Sequence, residues 1–493
     1  MREDARRRRP PLALALPAAV LGFALWQFLV KSWLFLASPH SPDYGEGQVL
    51  ALVQRMVRDG TFFGDVERYP MVLSNYPPVY LLLNAAGFWL FGPSLLQPRL
   101  LSLLATLALA GFLFALLRRR TGEAWLAASF ALLLFVPWFV QTWAATARID
   151  MLAQMLSVAG LCAFDRVGSR GGLRLYLPFL LFGLAFYTRQ TTLVAPAAVL
   201  GSLLLEPSRR RELPRALVAF AGPVLGALLA MSVATRGQAW KHLFPLAAAA
   251  DYDLAHMARN YGQFLVLASP LLLLAAAGLA LHPRALLRGP GLPLALYWLL
   301  SLAGLATIAK EGAAQNYFIE PWLATLLLAG VSAGAMLEAA PRARRAWPAF
   351  VFLAAAVAML AGRELNRLPQ AIRAPQRARA FIALDEAVRA TPEPILSENM
   401  SVLVVNERRV WVDPWAVMLL AKTRLWDPST LVGDCRRGMF ALVVTEWRLR
   451  QIPGVSECLD EAYEPWQDLG PYQLLRPKRP PGPRGQVLAA PDR

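Results

Sequence analysis

The sequence predicts an all-α polytopic membrane protein carrying a small α/β domain near its C-terminal end, and three observations predict it. Hydrophobic residues fill 56% of the 493 positions, and the mean hydropathy is +0.41. The apolar runs recur at about 20 residues, the length that crosses a hydrocarbon core. Basic residues cluster in short blocks between those runs. The net charge of +17 would otherwise suggest nucleic acid, but arginines placed in this way are the orientation signal of a membrane protein. No nucleic-acid partner is expected.

The first element follows a basic segment at 1–10, which contains Arg6, Arg7, Arg8 and Arg9. The apolar stretch from 11 to about 37 exceeds the core of a signal peptide, so it reads as an uncleaved span with its N-terminus in the cytoplasm. Further spans are expected at about 97–117, 123–143, 149–165, 174–188, 191–206, 216–234, 263–281, 292–309, 318–337 and 347–362. The transmembrane unit then covers 11–362 with about eleven spans.

The run 77–91 is decided by charge. It is short, opens with Pro77-Pro78 and carries Asn84 and Gly87. If it does not cross, the basic blocks at 118–120, 166–174, 209–215, 282–288 and 342–345 all face the cytoplasm, as the positive-inside rule favours. It is therefore expected to lie along the outer surface. Residues 46–59 read as a second surface helix, with Val49, Leu50, Leu52, Val53, Met56 and Val57 at helical spacing and Gln54, Arg55 and Arg58 opposite. Together they make 38–96 one large external loop of juxtamembrane helices.

Beyond residue 362 the composition becomes mixed. The odd span count places 363–476 outside the cytoplasm as an α/β domain. Val402–Val405 and Val410–Val412 flank Asn406-Glu407 as a hairpin or strand pair, and 440–445 reads as a buried strand. Cys435 and Cys458 lie in this domain, where a disulfide is possible outside the cytoplasm, while Cys162 lies in an apolar run. The proline-rich tail, 477–493, is expected to be disordered.

The polar residues worth weighing gather at the outer ends of the spans. Asp43 and Glu46 follow the first span; their spacing fits a capping box opening the 46–59 helix. A carboxylate held by backbone N–H groups also stays ionised and oriented, as a base requires. Glu46 shares a face with Leu50, Val53 and Val57, where a charge is costly unless something uses it. Arg148 and Asp150 begin a span, either as an interfacial pair or with the guanidinium matched to a lipid phosphate. Arg189 occupies a very short turn between spans, close to hydrocarbon, which calls for a partner. Arg99 and Lys310 stand at similar span ends. Asn75-Tyr76-Pro77-Pro78 rigidly positions a helix start, and Asn316 and Glu320 sit at a span entrance.

Other chemistries are excluded. No GxxxxGK[ST] loop or GxGxxG after a strand supports nucleotide binding. The four histidines, His40, His242, His256 and His282, have no metal-ligand spacing.

Taken in order, Asp43-Tyr-Gly-Glu46, Asn75-Tyr-Pro-Pro-Val-Tyr80, Arg99, Ala147-Arg-Ile-Asp150, Thr188-Arg-Gln-Thr191 and the stretch from Gly312 to Pro321 resemble the GT-C membrane glycosyltransferases. The branch is that of the bacterial relatives of protein O-mannosyltransferases and lipid A aminoarabinose transferases. The resemblance implies a polyprenyl-phosphate sugar donor and inverting transfer to a protein, lipid or glycan acceptor on the outer face of a bacterial cytoplasmic membrane. It implies Asp43 as base, with Glu46 assisting. Arg99, Arg148, Arg189 and Lys310 would bind the donor's lipid phosphate, and Asn75, Tyr76, Asp150, Asn316 and Glu320 would position the groups. No metal pair of the Asp-x-Asp kind stands near position 43, so no divalent metal or other cofactor is implied. The alternative class is a lipid-linked sugar flippase or other transporter. Such proteins place charges at mid-membrane between related halves, whereas here they stand at one interface.

Overall fold

Helices dominate the first 340 residues because an apolar segment in lipid must satisfy its own backbone hydrogen bonds. The computed structural model describes residues 12–41, 43–167, 172–244, 250–339 and 375–479. Among these, five helices are long and apolar enough to cross a bilayer: Leu96–Thr121, Arg210–Ala234, Leu254–Leu281, Gly289–Ala309 and Gln315–Ala339. The expected span at 123–143 is instead two helices, Ala124–Phe135 and Trp138–Ala144, meeting at 76°. Pro137 stands at the break as N-cap of the second, where its missing N–H costs nothing. The segments expected at 174–188 and 191–206 are the shorter apolar helices Gly172–Phe186 and Val194–Leu205. Asp150–Val167 is a largely buried helix with Asp150 in its first turn and Arg166 in its last. The expected span 347–362, the basic segment 1–10 and the tail from 480 lie outside the described residues.

The run 77–91 forms the helix Pro78–Phe91, 14 residues long and too short to span. It buries Tyr80, whose hydroxyl donates to the Pro98 carbonyl at 2.8 Å, and exposes Leu82, Leu83, Trp89, Leu90 and Phe91. That division suits a helix lying in the membrane interface.

The other juxtamembrane helix, Tyr44–Asp59, departs from expectation. Its polar face was expected in water, yet Gln48, Gln54 and Arg55 are buried. The C-terminal domain covers that face. Gln54 donates Nε2 to the Arg408 carbonyl at 2.7 Å and accepts from the Val410 amide at 3.1 Å, while Arg55 donates to the Val72 carbonyl. The helix is held between two structural units rather than floating on lipid.

In the C-terminal domain, strands β1 (Ile395–Ser397), β2 (Leu442–Thr445), β3 (Tyr463–Asp468) and β4 (Gln473–Pro477) form one sheet in the order β1-β2-β4-β3. β1 pairs parallel to β2, with Leu396 opposite Val443, and the other pairings are antiparallel. The buried strand expected at 440–445 is β2, buried at every position. The hairpin expected around Asn406 is corrected. Met400–Val405 is a helix N-capped by Asn399, and Val412 bridges to Met71 of the external loop. A four-residue apolar run has no period to separate helix from strand. Cys435 and Cys458 form a disulfide joining helices Ser429–Arg436 and Val455–Ala462. Met71 and Leu73 belong to this domain's apolar core, so the external loop is packed into it.

Candidate active site

The residues just after the first helix, Leu12–Ala37, are held by a buried ion pair. Arg99 directs Nε and Nη2 at the two Glu46 oxygens, each at 2.8 Å. Its remaining N–H groups reach the carbonyls of Phe35, Ser38 and His40 at 2.6 to 2.8 Å. A guanidinium has five N–H donors, and all are used. Both side chains are 0% exposed. Glu46 also accepts from the Ala147 amide at 2.7 Å and the Ser41 hydroxyl at 2.9 Å. In this arrangement Arg99 has no donor left for a lipid phosphate and Glu46 has no free face for an acceptor, in contrast to the roles the resemblance implies for them. The charge that looked costly on an apolar helix face is matched by Arg99 and ties the turn to residue 147.

Asp43 ends differently. It is the N-cap of Tyr44–Asp59 in backbone terms, yet its side chain makes no capping hydrogen bond. The carboxylate faces a cavity, its side chain 41% exposed, and meets Arg148 Nη1 at 3.2 Å. The surrounding protein replaces water on the other sides, and this desolvation raises the Asp43 pKa while Arg148 opposes the rise. A Cβ at Gly45 would lie 1.3 Å from Arg148 Nη1, so a larger residue here would displace the guanidinium from its present place. The glycine of Asp43-Tyr-Gly-Glu46 makes room for the guanidinium.

From Arg148 the charges continue along the cavity wall. Asp150, 1% exposed, accepts from Arg189 Nη1 at 2.7 Å and Asn316 Nδ2 at 2.8 Å, and its other oxygen lies 3.8 Å from Arg148 Nε. Arg189 packs over the Tyr317 ring at 4.9 Å, and Arg148 stands 6.0 Å from that of Tyr76. Gln190 donates to the Asn75 carbonyl at 2.9 Å, which joins the short turn to the Asn75-Tyr-Pro-Pro stretch. Asn75 Oδ1 is buried with no hydrogen-bond partner.

These residues enclose a cavity of about 280 Å³ lined by Asp43, Asn75, Tyr76, Arg148, Asp150, Arg189, Lys310 and Asn316. Eight of the side chains singled out in the sequence thus meet at one place. Lys310 makes no ion pair among the described residues, and burial lowers its pKa. An anion in the cavity would reverse that. Glu320, in the first turn of Ile319–Ala339, is absent from the cavity wall and has Oε1 without a partner. Among the described residues no three His, Cys, Asp or Glu side chains converge to hold a metal ion.

Sequence reasoning missed what the C-terminal domain contributes. Arg448 and Trp415 of that domain line the cavity, beside Tyr44 and Gln48 of the helix Tyr44–Asp59. Fully buried Asp413 accepts from Tyr44 Oη at 2.9 Å and Gln48 Nε2 at 2.8 Å, fastening the residue after Asp43 to the domain. Burial raises the Asp413 pKa, and the Ala416 amide it caps counters the rise. Arg448 lies 4.3 Å over the Tyr44 ring. It is held from behind by Glu398, which accepts from the amides of Trp447, Arg448 and Leu449 at 3.0 to 3.1 Å. Asp413-Pro414 is legible as a helix start, but nothing in its spacing says that it reaches Tyr44.

Comparison with known proteins bears on both halves. Residues 75–240 match the family model described as dolichyl-phosphate-mannose-protein mannosyltransferase. No curated protein sequence matches the chain. In fold it is similar to ArnT from Cupriavidus metallidurans bound to undecaprenyl phosphate, with a TM-score of 0.61 and 17% identity over 93% of this chain and 97% of that one. The apo form of the same protein gives 0.58 and 16%, over 94% and 98%. The oligosaccharyltransferase of Archaeoglobus fulgidus gives 0.53 and 12%, over 89% and 71%. At these identities the likeness is one of fold, and it takes in the C-terminal domain.

Proposed function

We propose that this chain, which has the fold of the GT-C membrane glycosyltransferases, is an inverting transferase. It moves a sugar from a polyprenyl-phosphate donor to an acceptor on the outer face of a bacterial cytoplasmic membrane. The observation that carries the reading is one carboxylate, Asp43, facing a cavity that also holds Arg148, Arg189 and Lys310. A lipid phosphate leaving an anomeric carbon gains negative charge in the transition state, and preorganised cations are worth most where charge develops. Asp150 keeps Arg189 aimed at the cavity and Gly45 admits Arg148, so the cations are fixed before substrate arrives.

In this mechanism the acceptor hydroxyl passes its proton to Asp43 as its oxygen bonds to the anomeric carbon. The bond to the phosphate oxygen breaks on the opposite side, and the polyprenyl phosphate leaves with the electron pair. A phosphate leaving group needs no proton from the protein, so the mechanism calls for no general acid. The chain's own cations serve where a divalent metal otherwise would. The basic blocks between spans support a cavity outside the cytoplasm, and the match of residues 75–240 to the mannosyltransferase family model supports a sugar-phosphate donor. ArnT's structure with undecaprenyl phosphate supports the polyprenyl carrier.

The test is sugar transfer in membranes holding the full chain, with a panel of labelled polyprenyl-phosphate sugars, native acceptor extract and EDTA present. Asp43→Asn is expected to lower transfer by about 10²- to 10⁴-fold, the range of general-base catalysis, while the protein remains folded. Equal transfer by the mutant would remove Asp43 from the chemistry. No turnover of any donor, with a known transferase active alongside, would move the reading to transport.

A further inference from the structure

Five aromatic rings stand in the wall of the cavity at Asp43: Tyr44, Tyr76, Trp143, Tyr317 and Trp415. Three of them already face a guanidinium. Arg448 lies 4.3 Å over Tyr44, Arg189 lies 4.9 Å over Tyr317, and Arg148 stands 6.0 Å from Tyr76. Among the described residues Trp143 and Trp415 carry neither a second ring nor a guanidinium. Trp143 belongs to the helix Trp138–Ala144 and packs on the transmembrane core. Trp415 comes from the C-terminal domain, is half-buried, and is tied to the neighbour of the candidate base. Its amide donates to Tyr44 Oη at 2.9 Å, and that hydroxyl donates onward to Asp413 Oδ1 at 2.9 Å.

The position of Trp415 is set from three sides. Asp413 caps the helix Pro414–Lys422 through the Ala416 amide, which fixes the turn that carries the tryptophan. At the other end of the helix, Lys422 reaches Asp251 at 3.7 Å and Glu311 at 3.8 Å. Those carboxylates stand on external segments that pair backbone to backbone at Tyr252 and Lys310. The third side is Gly312. A Cβ built there would lie 2.8 Å from Trp415 Cζ2, and 3.5 and 3.6 Å from the flanking Cη2 and Cε2. The glycine therefore abuts the edge of the indole rather than a face. Its φ of +79° favours glycine as well.

Sugar sites join aromatic surface to a few polar groups that fix orientation, because a sugar ring has an apolar C–H face and a rim of hydroxyls. The same domain brings such a polar group. Arg448 spends Nη1 on Glu446 at 3.0 Å and Glu398 at 3.5 Å, while its Nη2 makes no hydrogen bond among the described residues. Resting on the glycosyltransferase reading above, we infer that Trp415 is the platform on which the donor's sugar ring lies. The C-terminal domain then takes part in choosing the sugar, and the cations Arg148, Arg189 and Lys310 are left to the phosphate. Trp415 and Asp43 are joined through Tyr44, so the platform seats the ring in a fixed relation to the base.

Competition separates a sugar platform from a residue that only shapes the cavity. In membranes holding the full chain, transfer is measured from the panel donor that the parent uses fastest, with undecaprenyl phosphate bearing no sugar as competitor. Trp415→Ala is expected to raise the donor KM by about tenfold. Inhibition by undecaprenyl phosphate should move by less than about twofold, since that lipid has no ring to stack. Trp415→Phe keeps a flat ring and should recover most of the loss, whereas Trp415→Leu keeps only bulk and should not. If Trp415→Ala does not accumulate, the Phe and Leu variants carry the comparison. Lys310→Ala should instead weaken donor and competitor alike. An unchanged donor KM in Trp415→Ala, equal weakening of donor and competitor, or a Leu variant as good as the Phe variant would overturn the assignment while leaving the transferase reading intact. Failure of the parent to turn over any donor would remove both.

Discussion

Asp43 and Glu46 stand three residues apart and each meets an arginine, yet they end in opposite conditions. Glu46 and Arg99 are sealed, with every guanidinium N–H used and neither side chain exposed. Asp43 and Arg148 touch at 3.2 Å on a cavity wall, with Asp43 facing open space. The same pairing of residue types gives a fastening in one case and a candidate reaction centre in the other. What separates them is whether hydrogen-bonding capacity is left over. A saturated ion pair can only hold the chain; an unsaturated one can take a proton or an anion.

The comparison breaks most visibly through the sealed pair. Arg99→Ala leaves Glu46 buried and unpaired, a change that costs about 3–5 kcal/mol. Thermal unfolding of the purified protein should show that loss, and transfer should fall with it because residues 38–46 lose their shape. Glu46→Gln should be milder in unfolding than Arg99→Ala. If Arg99→Ala unfolds like the parent but loses only donor affinity, Arg99 is a phosphate ligand after all.

Arg189→Ala probes the open network. It removes one cation from the cavity and should lower kcat by about 10²-fold, the scale of losing one preorganised charge at a transition state. Unfolding should change less than with Arg99→Ala. A stability loss equal to that of Arg99→Ala would make the two clusters alike.

The smallest effect is a shift with pH. As the proposed base Asp43 would act only when ionised, so transfer should rise with pH through its pKa, which burial raises and Arg148 lowers. Arg148→Gln removes the lowering influence, and the midpoint of kcat against pH should move upward. A midpoint that stays in place would mean that Asp43 does not set the profile.

Much of the site was legible before the structure because membrane insertion orders polar residues simply. Charges tolerated beside hydrocarbon concentrate at span ends, so Asp43, Arg148, Asp150, Arg189, Lys310 and Asn316 stood out by position alone. Arg99 stood out for the same reason although its donors are spent within the protein, because nothing in its position distinguishes a phosphate ligand from the anchor of a turn. Gln54 and Arg55 misled in a related way. Polar residues on one side of a helix announce water only when nothing else covers that side, and here the carbonyl of Arg408 and the amide of Val410 do. The hairpin expected near Asn406 failed because four apolar residues carry no period.

By itself the sequence determined that the chain is a helical membrane protein with polar chemistry gathered at one face, since length, hydropathy and arginine placement are local quantities that lipid reads directly. It also determined the order of motifs whose resemblance names the reaction class. Only the tertiary structure decided which carboxylate is free. Asp43 and Glu46 are near-equivalent along the chain. Their difference lies in Arg99, Ala147 and Arg148, which reach the loop from 53 to 105 residues away. The cavity at Asp43 is likewise a product of docking, because Trp415 and Arg448 in its wall come from the C-terminal domain, brought there by contacts such as Tyr44 with Asp413.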